Sequence, residues 1–183
     1  MFKLIASTFV AVLMSFFVVD NLRLQPTNGN ATDVVTFTIK NFGVNVDGNI
    51  SGVKGSIDWN AADVTKTTVQ LTADVNTINT GIKKRDDHLK KDDFFDVQKH
   101  PELSFKSTKI TSMATGGFMA EGNLTIKGIT KSVSIPFNVG IAGNQYTFKG
   151  EFTIDRRGFE VGGSSMTMGD NVKVVFNIVA AAK

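Results

Sequence analysis

Apolar and polar residues alternate with a period of two through most of this chain of 183 residues. Val35, Phe37 and Ile39 alternate with polar neighbours, and the same pattern recurs in seven later segments. Because each predicted strand has one apolar and one polar face, we expect antiparallel pairing. The eight predicted strands are 35–40, 50–59, 68–75, 103–106, 120–126, 133–139, 146–154 and 172–178. Eight short antiparallel strands in one domain are typical of a β-sandwich or a β-barrel.

Alternation and spacing do not choose between a sandwich and a barrel. Glycines at inward positions favour the barrel, because glycine relieves the bends of a closed sheet. The alternative is that these are tolerated, loop-like positions. The glycines concerned are Gly52, Gly55, Gly122 and Gly150. The segment before the first strand, residues 22–32, contains Pro26 and an Asn-Gly-Asn sequence and is predicted to be a loop or linker.

Residues 1–20 are predicted to be a targeting segment, separate from one folded domain at 21–183. Lys3 precedes an apolar run at 4–19, as in a secretory signal peptide. The run is shorter than the roughly 20 residues of a membrane-spanning helix. No clear small-x-small cleavage site follows it, so an uncleaved membrane-tethering helix stays open as the alternative. Either segment predicts a periplasmic or secreted location.

The composition excludes several kinds of site. The chain has no cysteine, which rules out a disulfide framework, a zinc–thiolate site and a thiol nucleophile. The net charge of +3 is small and dispersed, and it argues against a nucleic-acid partner. Fifteen phenylalanines stand against one tryptophan and one tyrosine, which favours a strongly apolar interior.

One charged segment, residues 76–96, interrupts the alternation and ends in two adjacent phenylalanines. Asp86 and Asp87 each precede a lysine by four residues, a spacing that stabilises a helix by about 0.2–0.5 kcal/mol per pair. Pro101 then returns the chain to extended structure. Taken alone, the segment predicts a solvated surface helix with apolar anchors.

The sequence carries no catalytic motif. It has neither a G-x-S-x-G elbow nor a Walker-type phosphate loop. His88 and Asp92 have a spacing that could touch a metal, although such pairs are usually surface ion pairs. We therefore predict no enzyme activity, no catalytic residue, no metal site and no cofactor. An enzyme that uses His88 and the neighbouring aspartates is an alternative, and it requires His88 and a carboxylate to point into the interior of the protein and not to solvent.

Several motifs follow one another along the chain. The central segment reads TINTG at 77–81, RDDHL at 85–89 and DFFDV at 93–97, with Pro101 and Phe105 after it. Further on stand GNLTIKGIT at 122–130, DRRGF at 155–159 and GDNV at 169–172. In this order, over about residues 34–180, they resemble the YceI-like, polyisoprenoid-binding domain family.

This resemblance implies a lipocalin-like, eight-stranded antiparallel β-barrel with one short helix in the central insertion. It implies secretion to a periplasm or beyond, and non-enzymatic binding and carriage or storage of a long isoprenoid lipid. A polyprenyl phosphate or a quinone is expected, as a ligand rather than a cofactor. The alternative function is a secreted structural or stress-related protein with a filled barrel and no lipid.

The expected ligand contacts are apolar side chains of the strands and of the central insertion. They are Phe37, Ile39, Phe42, Trp59, Leu71, Leu89, Phe94, Phe95, Phe105, Leu124, Phe137, Phe148, Phe152 and Phe176. Arg85 is the candidate for contact with the lipid head group, and pairing with Asp86 or Asp93 is its alternative role. The isoprenoid lipid is the expected partner, and proximity to a membrane and a homodimer are further expectations.

Two positions depart from the family pattern. Asn41-Phe42-Gly43 stands where many relatives have histidine in an H-x-G element. The arginine element, read as Arg157-Gly158-Phe159-Glu160, departs from R-x-x-FG. Both departures concern polar contact with a head group, and neither changes the apolar lining.

Overall fold

The computed structural model describes residues 21–31 and 34–182, so the predicted targeting segment at 1–20 lies outside the described residues. Within the described ranges, no helix is long and apolar enough to cross a bilayer. The strands are β1 (Leu22–Pro26), β2 (Val35–Asn41), β3 (Val44–Ile50), β4 (Lys54–Trp59), β5 (Thr68–Asp74), β6 (Glu102–Ser112), β7 (Phe118–Ile126), β8 (Ile129–Ala142), β9 (Gln145–Asp155) and β10 (Met168–Ala182). The α-helix is α1 (Lys83–Leu89), and 3-10 turns cover Val64–Lys66, Val75–Thr77 and Arg156–Phe159.

Eight strands close into a ring in the order β1-β4-β5-β6-β7-β8-β9-β10, and β10 pairs back to β1. All of these pairings are antiparallel. The β2–β3 hairpin extends the same wall, because β2 pairs with the first part of β10 and β1 with its last residues. β1 and β2 therefore share one position around the barrel, and β3 and β4 share the next. The predicted eight-stranded antiparallel barrel is confirmed.

Two strands escaped the sequence prediction. β1 lies in the segment that was predicted to be a loop. The prediction missed this strand because five residues that end in a proline are too short for a clear period-two alternation. β3 contains two asparagines, an aspartate and a glycine, which disfavour strands in isolation. Its pairing with β2 over the whole hairpin holds it in the sheet. The strand predicted to begin at residue 50 begins instead at Lys54, after a break at 51–53 where Gly52 has a φ of +69°.

The predicted helix in the insertion is present as α1, but its ion pair differs from the predicted ones. Lys83 Nζ lies 2.8 Å from a carboxylate oxygen of Asp87, four residues later. The predicted ion pairs of Asp86 with Lys90 and of Asp87 with Lys91 do not form within the helix, because α1 ends at Leu89. Turns continue from there to residue 100, and β6 begins directly after Pro101, as predicted.

The strand directions sort the connections into two ends of the barrel. We call the upper end the one with the turn at 42–43, the insertion at 75–101, the turn at 127–128 and the loop at 156–167. The lower end has the connections at 60–67, 113–117 and 143–144. At the upper end, the Gly162 N–H donates to the carbonyl oxygen of Asp93 at 2.9 Å, so the loop and the insertion are joined.

An aromatic cluster fills the lower end. The Trp59 ring is 4% exposed and meets Phe118 and Phe148 edge-on, with ring centroids 5.3 and 5.7 Å apart. Phe137 packs between the same two phenylalanines, 5.4 Å from Phe118 and 6.3 Å from Phe148. Edge-on and tilted aromatic pairs at these distances are favourable beyond their buried area. The cluster therefore seals this end of the barrel.

We expect Trp59→Ala to lower the free energy of unfolding by about 3–5 kcal/mol, because it leaves a cavity in the cluster. Trp59→Phe should lower it by about 1 kcal/mol or less. Phenylalanine keeps the ring contacts and removes an indole N–H that is buried without a partner among the described residues. Urea unfolding followed by circular dichroism measures both, and equal losses for the two variants would contradict the sealing role.

Candidate functional site

The barrel encloses an apolar cavity of about 290 Å³. Ligand pockets typically measure about 300–1,000 Å³, so this one lies at the lower end of that range. It runs from Phe137 and Phe148 of the lower cluster to the insertion at the upper end. Six inward phenylalanines line the cavity and leave it open: Phe37, Phe105, Phe137, Phe148, Phe152 and Phe176.

Glycines on neighbouring strands make room for the phenylalanine rings of the wall. Gly48 pairs with Phe37, and a Cβ atom on this glycine would lie 2.4 Å from the ring. Gly150 pairs with Phe176, where the same distance would be 2.6 Å. At these distances any larger residue would clash with the ring unless the ring moved. Gly150, which the sequence prediction placed on an inward face, thus makes room for an aromatic ring. The pairing of Gly48 with Phe37 could not be predicted, because it depends on the register of β2 and β3.

The central insertion covers the upper end and presents its apolar residues to the cavity. Leu89, Phe94 and Phe95 all line it. Phe94 also meets the His88 ring edge-on, with centroids 5.0 Å apart. The two adjacent phenylalanines therefore lie where the sequence prediction placed them. Their contact with a ligand stays a prediction.

Of the fourteen predicted lining residues, twelve line the cavity and two do not. Phe42 is exposed, because β2 ends at Asn41 and the alternation of sides ends with it. Its φ of +51° places it in the tight turn to β3. Trp59 lies in the lower cluster, below the cavity. The predicted lining role of these two residues is corrected.

Arg85 lines the cavity and is held there by Thr80. Its Nε donates to the Thr80 hydroxyl at 2.7 Å, and its Nη2 donates to the Thr80 carbonyl oxygen at 2.8 Å. The Thr80 hydroxyl and N–H both donate to Asp86 Oδ1, so Asp86 supports Arg85 through Thr80 and not by an ion pair. Asp93 bonds His88 at 2.8 Å. Nη1 of Arg85 has no hydrogen-bond partner among the residues described.

Asn41 adds a second polar group to the cavity wall. It occupies the position of the family's histidine, at the end of β2. Its side-chain oxygen is buried and has no hydrogen-bond partner in the described part of the chain. A buried, unpaired acceptor destabilises a protein unless a ligand or water supplies a donor. This side chain and Arg85 therefore both bring unused hydrogen-bonding capacity to the cavity wall.

Arg156 is a residue of the cavity wall that the sequence prediction missed. Its side chain is only 3% exposed, and it reaches the cavity wall. Its guanidinium donates to the carbonyl oxygens of Val161, Gly162, Gly163 and Gly169 at 2.8–3.1 Å, and to Asp170 Oδ1 at 3.1 Å. These bonds hold the loop at 156–167 over the upper end. Since its donors are bound by the protein, Arg156 positions the loop.

The sequence contained a signal for Arg156. Reading the arginine element from Arg156 instead of Arg157 gives R-x-x-F, with Phe159 in register. Glu160 then stands where the family pattern has glycine, and its φ of +55° lies in the left-handed region that glycine adopts most easily. The departure is therefore one residue, and the arginine itself matches.

Four charged or titratable side chains of the insertion, Lys83, Asp87, His88 and Asp93, are exposed to solvent. The hydrogen bond from Lys83 lowers the pKa of the Asp87 carboxyl, and the same bond raises the pKa of Lys83. Both groups are well exposed, as are His88 and Asp93. His88 is not part of the cavity lining, so it lacks the inward orientation that an enzyme at the mouth requires. Within residues 21–31 and 34–182, no three His, Cys, Asp or Glu side chains lie close enough to hold a metal ion.

Comparison with known sequences gives one family. The family model described as "YceI-like domain" matches residues 24–180. A UPF0312 protein of Shewanella denitrificans is 30% identical over 123 residues, which are 61% of this chain and 64% of that protein. The UPF0312 protein VPA0850 of Vibrio parahaemolyticus is 28% identical over 111 residues, 60% of this chain and 59% of that protein. The matches thus span about three fifths of the relatives' length.

Solved structures share the fold. BcnA of Burkholderia cenocepacia superposes with a TM-score of 0.75 at 29% identity, covering 80% of this chain and 95% of that one. A Campylobacter jejuni YCEI protein gives 0.68 at 26% identity, covering 76% and 86%. A polyisoprenoid binding domain from Saccharophagus degradans gives 0.66 at 14% identity, covering 89% and 99%, and this last likeness shows the fold alone.

We expect Arg156→Met to lower the free energy of unfolding by about 3–5 kcal/mol, because it removes a buried, paired charge and leaves several carbonyl groups without donors. Arg157→Met is the matched control. Arg157 is half exposed and lies 3.5 Å from Asp170, so its loss should change stability by less than about 1 kcal/mol. Denaturant unfolding measures the difference, and limited proteolysis should cut the loop at 156–167 only in the Arg156 variant. Equal stability of the two variants would contradict the positioning role.

Proposed function

Because the chain belongs to the YceI-like domain family, we propose that it binds a long isoprenoid lipid inside its barrel. In this proposal the protein carries or stores the lipid and catalyses no reaction. The observation that supports it best is the apolar cavity, which is lined by inward side chains of the strands and roofed by the insertion. The Saccharophagus degradans domain, which shares the fold, is described as polyisoprenoid binding, and we propose the same class of ligand for this chain.

The cavity wall matches the chemistry of an isoprenoid tail. Such a tail has no hydrogen-bonding group, and each buried CH₂ contributes about 0.8 kcal/mol. A tail of tens of carbons would exceed the observed affinity limit of about 18–21 kcal/mol if these terms simply added. Loss of tail conformational freedom on binding must therefore offset much of the gain. Cavity length and width set the selectivity, because one methylene discriminates little.

Arg85 and Asn41 are the proposed contacts of the head group. Arg85 brings a positive charge and a free Nη1 donor, which suit a phosphate or a quinone oxygen. Asn41 brings a buried acceptor, which suits a hydroxyl or a protonated phosphate. We propose a polyprenyl phosphate or a quinone as the ligand class, and the bound lipid is a ligand rather than a cofactor.

The proposal places the protein in the periplasm or outside the cell, with residues 1–20 as a signal peptide or a membrane tether. A shielded cavity serves an apolar lipid in such a compartment, because the tail is kept from water. A filled barrel without lipid is the competing function. The open cavity argues against a filled interior, and lipid analysis decides between the two functions.

Organic extraction of the purified full-length protein, followed by mass spectrometry, tests the proposal. We expect an isoprenoid lipid in an amount close to that of the protein. Extraction of the same preparation after denaturation controls for incomplete release. Recovery of no isoprenoid from either extract, together with no binding of added polyprenyl lipid, would refute the proposal.

Narrowing the cavity should weaken lipid binding. In Gly48→Ala, the new methyl group pushes the Phe37 ring into the cavity, and we expect binding about fivefold weaker or more. Gly140→Ala is the matched control, because a Cβ atom there meets nothing within 4 Å. Titration of each variant with a fluorescent polyprenyl lipid measures the dissociation constants. Unchanged binding in Gly48→Ala would exclude the region beside Phe37 from the lipid site.

The head-group role of Arg85 is tested with two ligands that share one tail. Arg85→Met should weaken binding of farnesyl phosphate by about tenfold, since a hydrogen bond to a charged group contributes about 1.5–3 kcal/mol. Binding of farnesol should change less. Lys84→Met, at the exposed neighbouring position, is the control and should leave both affinities unchanged. Equal losses for the two ligands in Arg85→Met would assign Arg85 to the support of the insertion.

A further inference from the structure

We propose that the upper end of the barrel docks on an anionic phospholipid bilayer, and that the lipid enters and leaves the cavity there. The inference rests on the proposed function, because it concerns the route of the same ligand. It adds a membrane-contact surface, made of exposed apolar side chains around the cavity mouth and of lysines beside them.

Four large apolar side chains are exposed at the upper end. Phe42 is 77% exposed, Val44 67% and Ile82 52%, and Met166 is fully exposed. We call these four residues the upper rim. Large apolar side chains that are exposed close together on a protein surface mark a contact site for a protein or a membrane.

Backbone contacts bring the members of the upper rim to the same end. The Phe42 N–H donates to the carbonyl oxygen of Thr167 at 2.8 Å, which places the β2–β3 turn beside the loop that carries Met166. On the other side, Asn49 and Asn79 form an antiparallel bridge. Because the two segments run in opposite directions, the chain after Asn79 follows β3 back toward its turn, and Ile82 comes next.

The members of the upper rim lie close along the chain to residues that line the cavity. Each of its members lies within three residues of a residue that lines the cavity, namely Asn41, Val46, Thr80, Arg85 and Met168. Along Val44–Gly48, β3 pairs with β2 on one side, and the sheet order has no further strand on its other side. The edge of β3 is therefore unpaired along this stretch, and in the proposal the lipid passes through an opening between this edge and the insertion, beside the exposed residues.

Charge favours an anionic bilayer as the occupant. Lys40 stands just before the β2–β3 turn, and Lys83 and Lys84 follow Ile82 directly, all with exposed side chains. Lys83 is paired with Asp87, whereas Lys40 and Lys84 have no ion-pair partner among the described residues. Lysines next to exposed apolar residues are the usual composition of a surface that lies on anionic lipid.

Among the described residues, the lower end offers no comparable surface. Its exposed large apolar side chains are Ile141 at a hairpin tip and Leu22, which is 36% exposed, and the aromatic cluster around Trp59 closes the barrel behind them. A second copy of the chain seated on the upper rim would cover the opening through which a ligand has to pass. A bilayer, in contrast, is the source of an isoprenoid lipid. In the proposal the upper rim contacts the bilayer, and the opening beside β3 admits the lipid from it.

Site-specific labelling of the full-length chain tests the docking. The protein has no cysteine, so Met166→Cys and Ile141→Cys each give one labelling site for bimane. With vesicles of phosphatidylethanolamine and phosphatidylglycerol, we expect a blue shift at position 166 that nitroxide lipids quench, and no change at position 141. The two variants share residues 1–20, so attachment through that segment is common to both. No shift at 166, or equal shifts at both positions, would overturn the proposal.

Lipid transfer separates docking from binding. The double variant Phe42→Asn, Met166→Ser should take up a fluorescent polyprenyl lipid from these vesicles about tenfold more slowly than the Ile141→Ser control. When the same lipid is delivered from ethanol, both variants should bind it equally. Equal transfer rates would overturn the docking and leave the proposed function intact. If both variants and the unmodified chain fail to bind the lipid delivered from ethanol, the proposed function itself is refuted. A dimer that forms in solution and shifts the label at 166 without vesicles would assign the upper rim to a second copy, and would also overturn the proposal.

Discussion

Closure of the sheet through β10 is the constraint on which the rest of the structure depends. This strand of fifteen residues pairs with β9 along most of its length and divides its other edge between β1 and β2. Once the ring is closed, every second residue of each strand points into an interior that water does not solvate freely. The apolar half of the alternation must then either fill that interior or line it. Some phenylalanine rings lie over glycines on neighbouring strands. These rings are accommodated in the wall, so they line the interior without filling it.

The sequence was sufficient where local chemistry determines the structure. Strands with regular alternation, the turns between them and the helix before Pro101 could all be predicted, because each depends on residues close in the chain. β3 could not, since its polar residues and glycine favour a strand only when β2 is beside it. The side chain of Phe42 was predicted to point inward because alternation does not show where a strand ends. The pairing of Gly48 with Phe37 depends on register, which a single sequence does not contain.

The upper end shows how polar groups position an apolar site. Arg156 fixes the loop at 156–167 by binding its carbonyl groups, and Asp86 fixes Arg85 through Thr80. Both arginines thereby occupy the cavity wall with well-defined geometry, but they differ in what they leave free. The donors of Arg156 are bound within the protein, whereas Arg85 keeps Nη1 available. The sequence prediction named Arg85 and missed Arg156, and the hydrogen bonds distinguish the roles of the two side chains.

A cavity that is sealed at one end and bordered by exposed apolar residues at the other suits a ligand that should not meet water. If an isoprenoid tail left a bilayer through water, each exposed CH₂ would cost about 0.8 kcal/mol, so ten carbons would add about 8 kcal/mol to the barrier. An exit from the bilayer directly into the opening beside β3 removes most of that term. The aromatic cluster at Trp59 closes the other end of the barrel, so in this proposal the lipid enters and leaves at the same end. The exposure of Phe42 and Met166, which is unfavourable in a protein surrounded only by water, is then explained by the surface against which they lie.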